Sequence, residues 1–463
     1  MNPFYRCAAV CLLALSGCKV GYFHAETKLL PDGSIERAIL QPGFATPEEA
    51  QESSAWEKVG WTHERSFADF SGGIRDIELS ENGKDYFAAW TKVDSESELP
   101  DHYIKYAVDE DFSSHFERQF ERRDYGLVIE YSWQEKLTDV VTLNDFRKAR
   151  QELIDLLCEV AEATLADSLG EEHDTKKLTD WLRNEGAAFA IDATDVLYDL
   201  ASSKVRPISD DAAGEAFKQR IIQLSREHGF EEMFDESGKF QDKAVLKMAN
   251  ELIETTVSRR DGKPRDDGVV KGIIGAAGLS NEYNKSTVAR KLRQSWVGVI
   301  EERYGGQKAF EKQVTKLGTR IQGVHGGLIS GSPEQFRFVM DFPGVVVETS
   351  GVLLSENRVR WQFSGVDAWP SGFSMTGRSL LDNSTGMDEL KQWRNSLSRE
   401  SVTMYLDLVA GDQRMIDVMQ KCRKARDLSP LEDFIETSGD ATVAAAARKV
   451  LRLLQHDDAA SGQ

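Results

Sequence analysis

Past residue 18 this chain has no apolar run approaching the length of a membrane helix, so attachment to a bilayer would have to come from something other than a spanning segment. Cysteine is scarce: five in 463 residues, at positions 7, 11, 18, 158 and 422, which excludes a disulfide scaffold. Positive charge is in deficit. With 57 Lys and Arg against 77 Asp and Glu the formal charge is -20, a field that repels phosphate backbones and anionic head groups, so a nucleic-acid partner is not expected. Catalytic signatures are missing too. There is no Gly-x-Ser-x-Gly elbow and no Ser-x-x-Lys with its partner boxes, and the eight histidines (His24, His63, His102, His115, His173, His228, His325, His456) include no helical i, i+4 pair with a Glu between them to bind zinc.

The weaker chemical signals have plain alternatives. Asp109, Asp111 and His115 come closest to a ligand cluster, but Asp109-Glu110-Asp111-Phe112 breaks the order of a calcium loop, and a solvated loop is expected. Gly323, Gly326, Gly327 and Gly331 surround His325, yet Leu328-Ile329-Ser330 stands where a phosphate loop needs Lys and a hydroxyl, so a loop leading into the strand at Phe336 is the reading. Gly272, Gly275 and Gly278 suit close backbone approach rather than a membrane dimer. With 77 acids, carboxylate pairs occur at any spacing and identify nothing. Trp361, Phe363, Trp369 and Phe373 are expected in the core. No catalytic, cofactor or metal residue is assigned.

What is present begins at the N terminus. Arg6, the apolar stretch Ala8 to Leu15, then Ser16-Gly17-Cys18 has the layout of an export signal. As a helix the apolar core spans only ~13 Å, against roughly 30 Å of hydrocarbon, so it would be a signal and not a stem. Leu15-Ser16-Gly17-Cys18 resembles the lipobox of bacterial lipoproteins. That resemblance implies a signal peptide at 1–17, cleavage between Gly17 and Cys18, a diacylglycerol on the Cys18 thiol and an acyl chain such as palmitate on the new amine. Acyl chains at ~0.8 kcal/mol per buried methylene would hold the protein on the membrane. The expected location is the cell envelope: the outer face of the cytoplasmic membrane, or the outer membrane facing the periplasm, which Lys19 in place of Asp favours. Cys158 on an amphipathic helix reads as a small buried hydrophobe, and a Cys158–Cys422 bridge stays open in an oxidising compartment.

Along the chain, two strands around Pro31-Asp32-Gly33-Ser34 come first, then a helix over 46–57 and strands over 74–79, 86–93 and 125–136, the last placed mid-sheet. The period changes at Thr142. Phe146, Ala149, Leu153, Leu156, Leu157, Val160 and Leu165 share a helical face, with Thr142 as cap and Asp145 in the first turn. Further helices follow over 176–201, 211–228, 242–258, 287–304 and 308–317. Strand alternation then returns: Phe336, Phe338 and Met340, apolar runs at 345–347 and 352–354, and Val359, Trp361 and Phe363. After Leu381 the pattern is helical, with Leu390, Trp393 and Leu397 on one face and a last helix over 442–455. The fold class expected is α+β: a split antiparallel β domain from 18–140 plus 334–380, a helical insertion over 141–333, and C-terminal helices over 386–456.

The run from Phe338 through Asp341-Phe342-Pro343-Gly344-Val345-Val346-Val347 to Ser350-Gly351, followed by Val359-Arg360-Trp361-Gln362-Phe363, resembles a hairpin of LppM-type bacterial lipoproteins. The Pro31-Asp32-Gly33-Ser34 turn fits the opening strands of the same family. The resemblance covers a small part of the chain and implies an anchored envelope protein whose α/β domain holds a lipid or glycolipid. Its members are shorter and carry a membrane helix near the C terminus, where this chain has helices. No ligand contact is carried over. The sequence therefore points to a non-enzymatic, lipid-anchored envelope protein that binds a lipid-like ligand or an envelope protein partner through its β domain. The alternatives are an envelope hydrolase acting on glycan or lipid, and an assembly factor docking a basic partner on the acidic insertion.

Overall fold

A computed structural model describes residues 22–42, 62–63, 86–99, 115–138, 140–202, 211–235, 238–323, 335–387, 390 and 399–455. Gly17, Cys18, the helix over 46–57, the strand over 74–79, Asp109, Asp111, His325 with Gly326, Gly327 and Gly331, and Trp393 with Leu397 lie outside them. The first hairpin pairs β1 (Tyr22–Leu29) with β2 (Ile35–Pro42). Its turn is held by Asp32 Oδ1, which accepts from the Ser34 backbone N–H at 3.0 Å and the Ser34 hydroxyl at 2.7 Å. The other strands of the first half are β3 (Thr62–His63), β4 (Tyr86–Val93), β5 (His115–Asp124) and β6 (Val128–Thr138). Two short strands, β7 (His173–Asp174) and β8 (Ser258–Arg259), pair within the helical region. The chain returns to the β domain as β9 (Gln335–Asp341), β10 (Val345–Thr349), β11 (Val352–Ser355), β12 (Arg358–Ser364) and β13 (Phe373–Asp382).

These strands build two facing sheets rather than one. The first has the order β11-β12-β9-β1-β2-β4-β3, the second β10-β13-β6-β5, and each mixes strands from both ends of the chain. As expected, β6 lies inside its sheet. The reason for two layers is alternation: one face of each strand is apolar, and each sheet covers the other's. Phe23, Ala25, Ile35, Ile39, Phe336, Phe338, Val359, Trp361 and Phe363 meet Phe116, Ile129, Tyr131, Trp133 and Leu137 in one buried cluster. Phe338 and Phe116 span the gap with ring centroids 5.6 Å apart. Pairing is antiparallel except between β1 and β9, which run parallel with Phe23 opposite Phe336. A parallel pair needs a long crossover, and the whole segment between these strands supplies it.

The insertion comprises α1 (Leu143–Leu169), α2 (Lys176–Trp181), α3 (Ala187–Ser202), α4 (Asp211–Glu227), α5 (Asp242–Thr256), α6 (Asp267–Ala277), α7 (Thr287–Tyr304) and α8 (Gln307–Gln322). The cap at its entrance is the one expected: Thr142 Oγ1 accepts from the Asp145 backbone N–H at 3.2 Å. Leu156 and Val160 of α1 pack on Trp296, Ile300, Phe310 and Leu317 of α7 and α8. Gly272 on α6 explains the glycine run, because a Cβ there would lie 2.3 Å from Val288 Cβ in α7. The insertion joins the sandwich through rings: Trp369 lies 6.0 Å from Phe146 of α1 and 5.7 Å from Tyr198 of α3.

After the four-residue helix α9 (Gly365–Ala368) and β13, the chain ends in α10 (Arg399–Val409), α11 (Gln413–Ala425), α12 (Ser429–Thr437) and α13 (Ala441–Gln455). These close over Leu127, Val128, Val347 and Leu380 on the second sheet. Tyr405, fully buried, donates from its hydroxyl to the Tyr125 carbonyl at 2.7 Å, and burial pushes its phenol far above the ordinary range. Gly126 has φ +86°, and a Cβ there would sit 2.5 Å from the Met419 carbonyl carbon, so only glycine fits where α11 meets the β5–β6 turn. Among the described residues no helix is long and apolar enough to cross a membrane.

Candidate functional site

The sequence reading placed ligand binding in the β domain, but the described space between the sheets is filled. Trp361, Phe363 and Trp369 are each 3 % exposed and Phe373 stacks on Phe363 at 4.0 Å, so this quartet is core, as expected. At the centre lies a charged group that the sequence reading missed. Arg37 of β2 forks onto Glu135 of β6, Nη1 to Oε1 and Nη2 to Oε2 both at 2.7 Å, while Arg118 Nε of β5 reaches Oε1 at 2.8 Å. Arg37 Nε also donates to Thr27 Oγ1 at 2.8 Å, and the guanidinium lies 5.6 Å from the Trp133 ring. The seam around Arg37 and Glu135 has no room for a water molecule, so this group ties the sheets together and takes no ligand. Its trace in the sequence is a charge at an inward strand position: Ile35-x-Arg37-x-Ile39 and Trp133-x-Glu135-x-Leu137.

The space for a ligand lies in the helical insertion. A cavity of about 670 Å³ opens between α1, α2, α3, α5 and α6, walled by side chains such as Leu165, Trp181, Phe189, Met248, Leu252 and Ile273. That volume falls in the range of ligand pockets, about 300–1,000 Å³. Its shape has a local cause. Between α2 and α3 the helix runs on through a π-helical turn, Leu182–Gly186, which widens the backbone where Trp181, Leu182 and Phe189 face the cavity. Phe230 closes one side, edge-on to Trp181 at 6.3 Å and perpendicular to Phe189 at 5.1 Å. Met233 and Met248 add flexible thioethers that adapt to what they meet. Several of these side chains are only half-buried, which leaves apolar surface facing the opening.

Polar groups at the wall are few. Among the described residues that line it, Glu251 alone carries a formal charge, and no Lys, Arg or His is among them. Thr164, 1 % exposed, also lines the cavity, and its Oγ1 has no hydrogen-bond partner. Of the basic side chains next to wall residues in the chain, Arg183 faces Glu162 at 2.6 Å, His228 faces Asp192 at 2.8 Å and Lys247 faces Glu232 at 3.0 Å, while Arg293 donates to the Asn284 side chain at 3.1 Å and Lys177 and Lys291 stand beside Leu178 and Leu292. Glu232 holds the Lys247 ammonium above its usual range.

The remaining sequence candidates do not converge. His115 is the one member of the Asp109, Asp111, His115 set among the described residues, and it lies 3.5 Å from Glu117 on β5. His24 is buried on β1 with Nε2 at 3.2 Å from Glu26, and His173 is buried with both ring nitrogens unpartnered. No group of three His, Cys, Asp or Glu among the described residues is placed to hold a metal ion. Cys158 and Cys422 are not joined in a disulfide, which settles the bridge the sequence leaves open. Cys158 packs on α1 beside the Leu182 carbonyl, whereas Cys422 is buried under the C-terminal helices, and burial pushes the Cys158 thiol up. The run of the family resemblance is not one hairpin: β10 (Val345–Thr349) is an edge strand of the second sheet and β11 (Val352–Ser355) an edge strand of the first, paired with β12, with Val345, Val352, Leu353 and Leu354 exposed. Comparison of the chain with protein-family models, with curated proteins and with solved structures finds no match in any of the three.

Proposed function

We propose that this is an exported, lipid-anchored bacterial envelope protein that binds an apolar, lipid-like ligand in the cavity of its helical insertion. The export and anchoring part rests on Leu15-Ser16-Gly17-Cys18 after a short apolar core. The binding part rests on one observation: a cavity of about 670 Å³ walled by aliphatic, aromatic and methionine side chains. The sandwich serves as the frame that carries the insertion.

Nile red, an uncharged fluorophore that brightens in apolar surroundings, tests the binding part. The chain with Cys18→Ser should enhance its emission saturably, and Ala249→Phe, which places a ring in the cavity, should abolish most of the enhancement without lowering the melting temperature. Native mass spectrometry of the protein purified from its own host should show an extractable apolar adduct. No saturable enhancement, or an enhancement that Ala249→Phe leaves intact, overturns the assignment of the cavity.

A further inference from the structure

We infer that the cavity selects long-chain amphiphiles with a cationic head group and discriminates against fatty acids, an inference that rests on the binding function proposed above. The selection follows from charge complementarity. A site for a carboxylate or phosphate head normally offers Arg, Lys or a set of free backbone N–H groups, because taking an anion from water without a partner is costly. Among the described residues the wall offers none of the basic side chains. Arg183, His228 and Lys247, next to wall residues in the chain, are each already turned to a carboxylate. Among the described wall residues the one formal charge is the Glu251 carboxylate, exposed on α5 one turn from Lys247, whose ammonium Glu232 and then Glu251 hold above its usual range.

Both contributions act in the same direction. An alkyl chain entering the apolar space brings its head to the opening, where the exposed Glu251 carboxylate stands and the net field of the molecule is strongly negative. An ammonium there is attracted and keeps part of its hydration, and the faces of Trp181 and Phe230 offer π surface to a cation. A carboxylate in the same place is repelled and finds no basic side chain among the described wall residues. An alcohol head feels neither effect.

Three ligands of equal chain length separate these cases: dodecyltrimethylammonium, dodecanol and dodecanoate, each below its micelle concentration, competing Nile red from the Cys18→Ser protein at low salt. The cation should bind about tenfold more tightly than the carboxylate, with the alcohol between. Glu251→Gln should reduce the ratio of cation to alcohol affinity by about fivefold, and Glu251→Lys should bring the carboxylate to or above the cation. Because Glu251 is exposed, circular dichroism should show both variants folded. Dodecanoate binding as tightly as the cation, or a ratio unmoved by both substitutions, overturns the head-group selectivity while leaving the cavity a lipid site. Failure of all three chains to displace the dye, with none retained in native mass spectra, overturns the binding function itself.

Discussion

At the scale of single residues, the group most out of keeping with its surroundings is the charged trio between the sheets. Arg37, Arg118 and Glu135 are almost fully buried, and the carboxylate is the partner both guanidinium groups share. Such a group is destabilised far more by losing one member than by being replaced whole. Glu135→Gln should therefore lower unfolding stability in urea by about 3–5 kcal/mol, while the triple replacement Arg37→Met, Arg118→Met, Glu135→Leu should recover most of that loss. A triple variant no more stable than Glu135→Gln would show that the ions contribute something apolar packing cannot replace. Glu251 has the opposite setting, exposed at the cavity wall, and in the proposed role its weight would fall on ligand choice rather than on stability.

Elements show where sequence pattern suffices and where it does not. Helix α1 has its cap, its acidic first turn and its apolar stripe in the expected places, since each follows from local backbone chemistry. Thr142→Ala removes the acceptor for the Asp145 N–H and should cost about 1 kcal/mol, measured as a shift in urea midpoint, and Thr142→Asp should restore it. Strand β5 was not legible. In His-Phe-Glu-Arg-Gln-Phe-Glu-Arg-Arg-Asp the two Phe are four apart, a helical spacing, and charge occupies both faces. Only pairing with β6, which sets Arg118 opposite Glu135 and Phe120 opposite Trp133, makes the alternation meaningful. The π-helical turn beside the cavity was equally hidden, because Leu182–Gly186 reads as one more stretch of amphipathic helix.

For the molecule as a whole, the proposed anchor sets how it meets a membrane. β1 starts at Tyr22, four residues after Cys18, so a lipid on that thiol would keep the Tyr22 end of the first sheet within ~14 Å of the bilayer surface. A chain of net charge -20 would gain nothing from an acidic surface, and the acyl chains alone would hold it there. Expressed in a bacterium, the protein should sediment with membranes through high-salt washing and incorporate labelled palmitate. Cys18→Ser should abolish both, and a variant that still sediments and still takes up label would overturn the anchor.

The sequence by itself determined most of the elements and their order, strand β5 and helix α6 excepted. Strand alternation at 22–40, 128–138 and 336–363 and helical periodicity over 143–322 follow from which face of a local structure is apolar, and that is written residue by residue. It also supplied the expectation that the Val345–Gly351 run and the Trp361 and Phe363 pair are framework. Which sheet each strand joined, the parallel meeting of β1 with β9, the buried ion trio and the placing of open apolar space in the insertion were decided by tertiary structure alone. The physical reason is that a cavity and a buried charge are properties of what is brought opposite a residue. Leu165, Phe189 and Met248 are indistinguishable in sequence from core residues, and only the packing of α1, α3 and α5 leaves the space between them unfilled.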